Sequence, residues 1–216
     1  MPSQGAKLFP LYPIIDLAVL RRPLEPVLAG LSAAGAQWVQ LRGKDLSSGD
    51  LFRECRRLVA LARPLGLKVI VNDRADLALV SGAEGVHLGQ QDLPAAEARR
   101  ILGEQAIIGL STHGLDQARQ ARDSPVDYVA IGPVFPTRTK DNPDPVVDRQ
   151  ELQDIRDQVA KPLVAIGGIT LENVRPLFQS GVDSVAVIRD LLLAEDVRER
   201  AAGYRELARQ TEGRTP

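Results

Sequence analysis

The stretch that decides the fold is VIVNDRADLALVSGAEGVHLGQQDLP, positions 69–94 of the chain. It holds two short apolar runs, and each run ends in side chains that prefer water. Asn72 and Asp73 follow the first run, and Asp92 follows the second run, which contains His87. Both runs are continuous rather than alternating, a pattern typical of strands buried on both faces of a parallel sheet.

Similar apolar runs, rich in Val and Ile, recur on both sides of this stretch. Together they make eight candidate strands: YPIIDL from Tyr12, WVQLR from Trp38, KVIVND from Lys68, GVHLG from Gly85, AIIGLS from Ala106, YVAIGPV from Tyr128, PLVAIGGI from Pro162 and SVAVI from Ser184. Segments with helical spacing lie between them; in SGDLFRECRRLVALARPLG, for example, Leu51, Cys55 and Leu58 share one face. This alternation predicts a single (β/α)8 TIM barrel, with a doubly wound open sheet as the alternative.

The length and composition fit one soluble domain over residues 1–216, with flexible tails at about 1–9 and 211–216. The 27 Lys and Arg residues balance 28 Asp and Glu residues, which gives no support for a nucleic-acid partner or a membrane surface. No apolar run approaches the roughly 18 residues that a membrane span needs, and the start lacks an apolar signal core. Cys55 is interpreted as a structural thiol. These features predict a cytoplasmic protein.

Polar and charged residues cluster where the predicted strands end. In a barrel of this kind those ends line one mouth, which is where the active site lies. The candidates are Gln40, Arg42, Lys44, Asn72, Asp73, His87, Gln90, Asp92, Ser111, His113, Thr137, Thr139, Lys140, Gly167, Gly168 and Arg189. Because cations and carboxylates converge there, the pattern indicates a polyanion carried with a hard divalent metal such as Mg²⁺.

Each of these signals also has a structural interpretation. Asp73 followed by Arg74 could be a helix cap, and His87 on an apolar strand could be a satisfied buried histidine. The pair Gly167 and Gly168 could mark a turn, although phosphate binding is favoured at this point of the barrel. The segment DNPDPVVDRQ after Lys140 is interpreted as a flexible lid. Neither histidine has a second ligand at zinc spacing, and no G-x-S-x-G or P-loop motif is present.

Taken together, the motifs resemble the thiamine-phosphate synthase family. They are VQLRGK at Val39, VNDRADLALVSGAEGVHLGQQDLP at Val71, IIGLSTH at Ile107, DYVAIGPVFPTRTK at Asp127, VAIGGIT at Val164 and GVDSVAVI at Gly181. The resemblance implies an enzyme that joins 4-amino-2-methyl-5-(diphosphooxymethyl)pyrimidine to a thiazole phosphate, or to its carboxylated form. The products would be thiamine phosphate and diphosphate. A strong nucleophile or general base is not required for this reaction.

The resemblance also implies roles for individual residues, which are grouped here by what they would bind. The pyrimidine diphosphate ligands are Gln40, Arg42, Lys44, Asn72, Ser111 and Lys140, of which Arg42, Lys44, Ser111 and Lys140 would be catalytic. The Mg²⁺ ligands are Asp73 and Asp92. The thiazole phosphate ligands are Thr137, Thr139, Gly168, Ile188 and Arg189. The family often has serine where this chain has Arg189, and a guanidinium can also bind phosphate.

Two alternatives remain open, and a third is excluded. A thiazole tautomerase of the same barrel family would use His113 for proton transfer and would need no metal-bound diphosphate. A non-catalytic module would bind thiazole phosphate without turnover. An aldolase-like barrel lacks a well-placed Schiff-base lysine, since Lys68 begins its strand at the wrong end. A homodimer is possible.

Overall fold

The computed structural model describes residues 9–137 and 145–212, and within them eight parallel strands form a closed barrel. The strands are β1 (Leu11–Asp16), β2 (Trp38–Arg42), β3 (Lys68–Asn72), β4 (Gly85–Leu88), β5 (Ile107–Thr112), β6 (Tyr128–Ile131), β7 (Leu163–Ile166) and β8 (Ser184–Val187). Each strand pairs with the next, and β1 also pairs with β8, which closes the sheet. The predicted (β/α)8 TIM barrel is confirmed, and the open doubly wound sheet is wrong.

Helices alternate with these strands along the chain. They are α1 (Leu24–Ala33), α2 (Ser48–Ala62), α3 (Ala75–Ser81), α4 (Ala95–Leu102), α5 (Leu115–Arg122), α6 (Arg149–Gln158), α7 (Arg175–Gln179), α8 (Arg189–Leu192) and α9 (Val197–Glu212). The short α8 comes directly after β8 and was not predicted as a helix. Phe9 packs against the core, and α9 runs to Glu212. No helix in the described part of the chain is long and apolar enough to cross a membrane.

The longer helices form where the sequence spacing predicts an apolar face. In α2 the hydroxyl of Ser47 accepts the Asp50 N–H at 3.2 Å and caps the first turn. Leu51, Cys55 and Leu58 lie buried on one face of this helix against the sheet. Burial raises the pKa of the Cys55 thiol to about 11, which keeps it protonated and unreactive at neutral pH.

The strands divide their side chains between two apolar cores because successive residues point to opposite faces. Those that point outward pack under the helices, whereas those that point inward fill the barrel, among them Tyr12, Ile70, Tyr128 and Val164. Towards the carboxyl ends of the strands, the side chains that point inward are polar rather than apolar. The inward positions there include Asp16, Arg42, Asn72 and Ser111.

The opposite end of the barrel uses carboxylates for structure. Glu84, Asp127 and Asp183 come one residue before β4, β6 and β8, respectively. Each accepts the backbone N–H of a residue on the preceding strand, at 2.7, 2.7 and 2.8 Å: Val69, Ile108 and Leu163. A side chain thereby satisfies donors near the starts of β3, β5 and β7, and these acids lie far from the mouth.

Replacing Gly109 with alanine is expected to destabilise the fold strongly. A methyl group at this inward position of β5 would lie 2.0 Å from Cζ of Tyr128, a fully buried ring. We expect the free energy of unfolding to fall by about 3 kcal/mol, because a rigid core cannot absorb the added carbon. Urea denaturation measures this loss. Gly49→Ala is the matched control, since the added methyl would have no contact closer than 3.9 Å; an equal loss in both variants would contradict the packing argument.

Candidate active site

The first wall of the mouth is built by the ends of β1 and β2. Arg42 is the last residue of β2, and its guanidinium donates to the carboxylate of Asp16, the last residue of β1. Asp16 is 1% exposed, and its other oxygen accepts the Ala18 N–H at 2.9 Å. The fixed carboxylate holds Arg42 in one orientation at the rim. Asp16 was missed from the sequence, although it ends the run YPIID in the same way that Asp73 follows the third run.

The two predicted metal ligands lie side by side. Burial and the neighbouring Asp92 carboxylate raise the pKa of Asp73 to about 6. Lys44 lies beside this pair, with its Nζ atom 3.9 Å from Oδ2 of Asp73. Asp92 is held by the Gly89 N–H, which donates to its Oδ2 atom at 2.6 Å. Two adjacent carboxylates with incomplete compensation are suited to a hard divalent cation.

Asp73 also has a backbone conformation that is rare for its residue type. Its φ angle is 65°, in the left-handed region, a backbone conformation that residues other than Gly, Asn and Asp rarely adopt. Its N–H donates to the His87 carbonyl at 2.7 Å, which continues the β3–β4 pairing one residue past the strand. The helix α3 begins two residues later, with no side-chain cap bond. The helix-cap interpretation of Asp73 is therefore wrong, and the strained turn aims its carboxylate at Asp92.

No larger cluster of metal-binding side chains competes with this pair. Within residues 9–137 and 145–212, no group of three or more His, Cys, Asp or Glu side chains could hold a metal ion. Both ligand atoms offered by Asp73 and Asp92 are carboxylate oxygens, which Mg²⁺ prefers and zinc sites rarely use alone. This pair of oxygen donors fits a hard divalent cation such as Mg²⁺.

Below the mouth, polar side chains cross the barrel interior. The Gln40 amide nitrogen donates to the Tyr12 hydroxyl at 3.1 Å, and that hydroxyl lies 2.9 Å from the Tyr128 hydroxyl. The Tyr128 hydroxyl lies 2.9 Å from Nδ1 of His87, whose Nε2 lies 2.8 Å from the Ser111 hydroxyl. His87 is therefore a satisfied buried histidine, as its apolar strand indicated, but it also contacts a predicted diphosphate ligand.

The contribution of His87 to the stability of the protein is expected to fall as the pH drops from about 6.5 towards 4. Burial lowers the pKa of His87 to about 4, so the folded state binds fewer protons than the unfolded state in this interval. The loss attributable to His87 is about 2 kcal/mol. Urea denaturation of the wild type and of His87→Gln in metal-free buffer between pH 4.5 and 7 measures it. Parallel pH curves for the two proteins would contradict this assignment.

The opposite wall carries the predicted thiazole phosphate ligands. Gly168 follows β7, and a methyl group there would lie 2.4 Å from the Pro136 carbonyl, so only glycine fits. Asn173 donates to the Gly168 carbonyl at 3.0 Å and supports this turn. Ile188 and the exposed Arg189 stand at the start of α8, after β8. Thr137 ends the described part of the β6 loop.

Several candidates lie at the edges of this arrangement or outside it. Thr139 and Lys140 lie outside the described residues, as does the first part of the predicted lid. Its last residues are described: Val147 N–H donates to the Pro133 carbonyl at 2.8 Å, and Asp148 caps α6 by accepting the Glu151 N–H at 2.9 Å. An aspartate cap thus begins α6 at the end of this segment.

Two further polar side chains flank Ser111. The Gln90 amide donates to the Ser111 carbonyl at 2.6 Å, which ties the loop after β4 to β5. Nδ1 of His113 lies 2.7 Å from the Gly132 carbonyl, a bond that orients the ring against the end of β6.

Asn72 ends β3 beside His87 in the strand register. The structure thus brings Arg42, Lys44, Asn72, Asp73, Asp92 and Ser111 to one side of the mouth.

Comparison with known proteins identifies the family of the chain. The profile of the family described as thiamine monophosphate synthase matches residues 11–191. A thiamine-phosphate synthase from Koribacter versatilis is 43% identical over 212 residues, covering 95% of this chain and 98% of that protein. One from Chlorobium phaeovibrioides is 44% identical over 183 residues, covering 84% of this chain and 87% of that protein.

A solved structure is similar over almost the whole barrel. It is a thiamine phosphate pyrophosphorylase from Pyrococcus furiosus, with a TM-score of 0.83 and 32% identity, covering 96% of this chain and 99% of that chain. The sequence match and the fold agree with each other. The chain belongs to the thiamine monophosphate synthase family and is a transferase of that kind.

Proposed function

We propose that the chain joins the aminopyrimidine-methyl group of a pyrimidine diphosphate to the nitrogen of a thiazole phosphate and releases diphosphate. The observation that carries this proposal is the paired carboxylates Asp73 and Asp92 with the cations Arg42 and Lys44 beside them. A carboxylate pair next to cations is suited to a metal-bound polyanion, whereas an uncharged or singly charged substrate would leave the pair uncompensated.

The leaving group determines what the residues have to do. As the bond between carbon and the diphosphate oxygen breaks, negative charge accumulates on the diphosphate, and the electron-rich aminopyrimidine stabilises the carbocation. Arg42 and Lys44 donate hydrogen bonds to the departing anion from a preorganised rim, together with the Ser111 hydroxyl and the Asn72 amide. The resemblance to the family implies the same role for Lys140. When held by Asp73 and Asp92, Mg²⁺ supplies further positive charge to the diphosphate oxygens.

The second substrate is positioned by the opposite wall. The tight turn at Gly168 and the backbone at Ile188, with Arg189 and Thr137 nearby, would hold the thiazole phosphate. The resemblance to the family implies that the Thr139 hydroxyl would also bind this phosphate. Fixing the two reactants so that the thiazole nitrogen faces the cation replaces acid–base catalysis by orientation, a contribution of up to about 7–11 kcal/mol in ideal cases.

The alternatives account for fewer features of the mouth. A tautomerase would use His113 but would have no leaving diphosphate to justify the charge cluster of Asp73, Asp92 and Lys44. A non-catalytic module would bind thiazole phosphate at the Gly168 wall and leave the carboxylate wall without a role. The synthase reaction uses both walls.

The test is a coupling assay with the purified protein, the pyrimidine diphosphate and the thiazole phosphate. We expect formation of thiamine phosphate with one equivalent of diphosphate in Mg²⁺, and no product in EDTA. Thiamine phosphate formed equally well in EDTA would refute the metal role. A folded protein that releases no diphosphate in Mg²⁺ but isomerises a carboxylated thiazole phosphate would support the tautomerase.

A further inference from the structure

We propose that Gln40 is a positioning residue that sets the direction of a hydrogen-bond chain through the barrel, so that the Ser111 hydroxyl is left as a donor towards the diphosphate. The chain, called here the interior chain, consists of Gln40, Tyr12, Tyr128, His87 and Ser111. The direction follows from the geometry of the chain alone, and the link to diphosphate rests on the proposed function.

The direction begins at the amide of Gln40. The nitrogen of an amide can only donate, so the Tyr12 oxygen accepts its hydrogen at 3.1 Å. The hydrogen of Tyr12 then points to the Tyr128 oxygen, 2.9 Å away. Because Tyr128 accepts from Tyr12, its own hydrogen points to Nδ1 of His87, also 2.9 Å away. Each hydroxyl in this sequence accepts once and donates once.

His87 transmits the direction to Ser111. With Nδ1 acting as an acceptor, the ring hydrogen of a neutral His87 lies on Nε2, which faces the Ser111 hydroxyl at 2.8 Å. The Ser111 oxygen therefore accepts from His87, and its own hydrogen is not used inside the interior chain. That hydrogen remains for a ligand in the mouth, at the position where Gln90 ties down the Ser111 backbone.

Burial makes this order durable. Gln40, Tyr12, Tyr128 and His87 are 2%, 4%, 0% and 6% exposed, respectively, so water cannot readily replace a missing partner. In a reversed chain both Gln40 and Tyr128 would donate to the Tyr12 oxygen. The hydrogen of Tyr12 would then have no acceptor, which is costly in a dry interior. The tyrosine rings are also locked by edge-on packing, with the Tyr12 and Tyr128 centroids 5.7 Å apart.

The direction decides how Ser111 meets an anion. Phosphate oxygens at neutral pH mainly accept hydrogen bonds, so a hydroxyl helps only if its hydrogen is available. In the observed order Ser111 presents its hydrogen to the mouth. In the reversed order it would donate to His87 and turn oxygen lone pairs towards the diphosphate, which would repel the ligand.

The direction can be read without any substrate. In ¹⁵N-histidine-labelled protein at pH 8, NMR should show His87 with its hydrogen on Nε2 and no hydrogen on Nδ1. The spectrum of His113→Gln, which lacks the signals of the other histidine, shows which signals belong to His87. Gln40→Glu places at position 40 a carboxylate that can only accept, and the hydrogen of His87 is then expected to move to Nδ1. A wild-type hydrogen on Nδ1, or no change in Gln40→Glu, would overturn the proposal.

The effect on the ligand is tested by a double-mutant cycle in steady-state kinetics. Ser111→Ala should raise the KM for the pyrimidine diphosphate, or lower kcat/KM, by about ten-fold or more. Tyr128→Phe interrupts the interior chain and should cost about three-fold or more in kcat/KM in the wild type, but nothing further in Ser111→Ala. Additive losses would mean that Tyr128 acts only through general packing and would overturn the link to Ser111.

Tyr204→Phe is the matched control for loss of a buried tyrosine hydroxyl. Tyr204 donates to Asp190 at 2.6 Å outside the interior chain, so this variant should lose stability but keep its KM for the pyrimidine diphosphate. If the wild type shows no turnover, the proposed function fails while the NMR result still decides the direction. In that case the role of Ser111 is tested by the affinity for inorganic diphosphate in the presence of Mg²⁺, measured for the wild type, Ser111→Ala, Tyr128→Phe and the double variant.

Discussion

Replacing Asp92 with asparagine is expected to lower kcat/KM for coupling by about a thousand-fold or more. The amide oxygen can still accept the Gly89 N–H, which Asp92 binds at 2.6 Å, so the loop after β4 should keep its shape. The negative charge opposite Asp73 is lost, however, and with it the affinity for Mg²⁺. Metal stabilisation of a departing polyanion is worth several kcal/mol, which corresponds to the expected loss. A coupling assay over a Mg²⁺ titration measures it.

Two comparisons separate metal loss from misfolding in Asp92→Asn. Thiazole phosphate affinity, measured by calorimetry, should remain within about three-fold of the wild type, because Gly168 and Ile188 lie on the other wall. Glu97→Gln removes an exposed carboxylate from α4, where it pairs with Arg100, and should leave turnover unchanged. Near-normal turnover of Asp92→Asn at low Mg²⁺ would refute the metal assignment.

Replacing Asp73 with asparagine is expected to stabilise the protein while abolishing turnover. The raised pKa of Asp73 means that its ionised form is disfavoured in the metal-free protein. The side chain is 27% exposed, so solvent screening reduces the expected gain to about 1–2 kcal/mol. Asparagine also tolerates the left-handed backbone at this position. Turnover should fall by about a thousand-fold because one metal ligand becomes neutral.

Thermal and urea unfolding in EDTA measure the stability change, and the coupling assay measures turnover. Asp50→Asn is the control for an exposed carboxylate: Asp50 pairs with Arg53 on α2, and its replacement should not raise stability. Asp73→Ala is a second comparison, because alanine removes the charge but is strained at a φ of 65°. A loss of stability in Asp73→Asn would show that the carboxylate is structural.

Much of the mouth was predictable because polar residues that follow the apolar runs lie at the one functional end of a barrel. The runs VQLR and VIVND place Arg42 and Asn72 at the carboxyl ends of β2 and β3, and GLS does the same for Ser111 on β5. No knowledge of side-chain packing was needed for this step. Position alone also separated Asp73 and Asp92 from acids such as Asp127, which precedes its strand and accepts a backbone N–H at the other end.

The sequence by itself determined the order of the eight strands and of the helices other than α8, and the residue types at the mouth, because these depend on local patterns along the chain. Only the tertiary structure decided that Asp16 holds Arg42, that Asp73 and Asp92 are adjacent, and that His87 links Tyr128 to Ser111. These relations join strands far apart in the chain. They depend on barrel closure and on side-chain direction, which one-dimensional spacing does not encode.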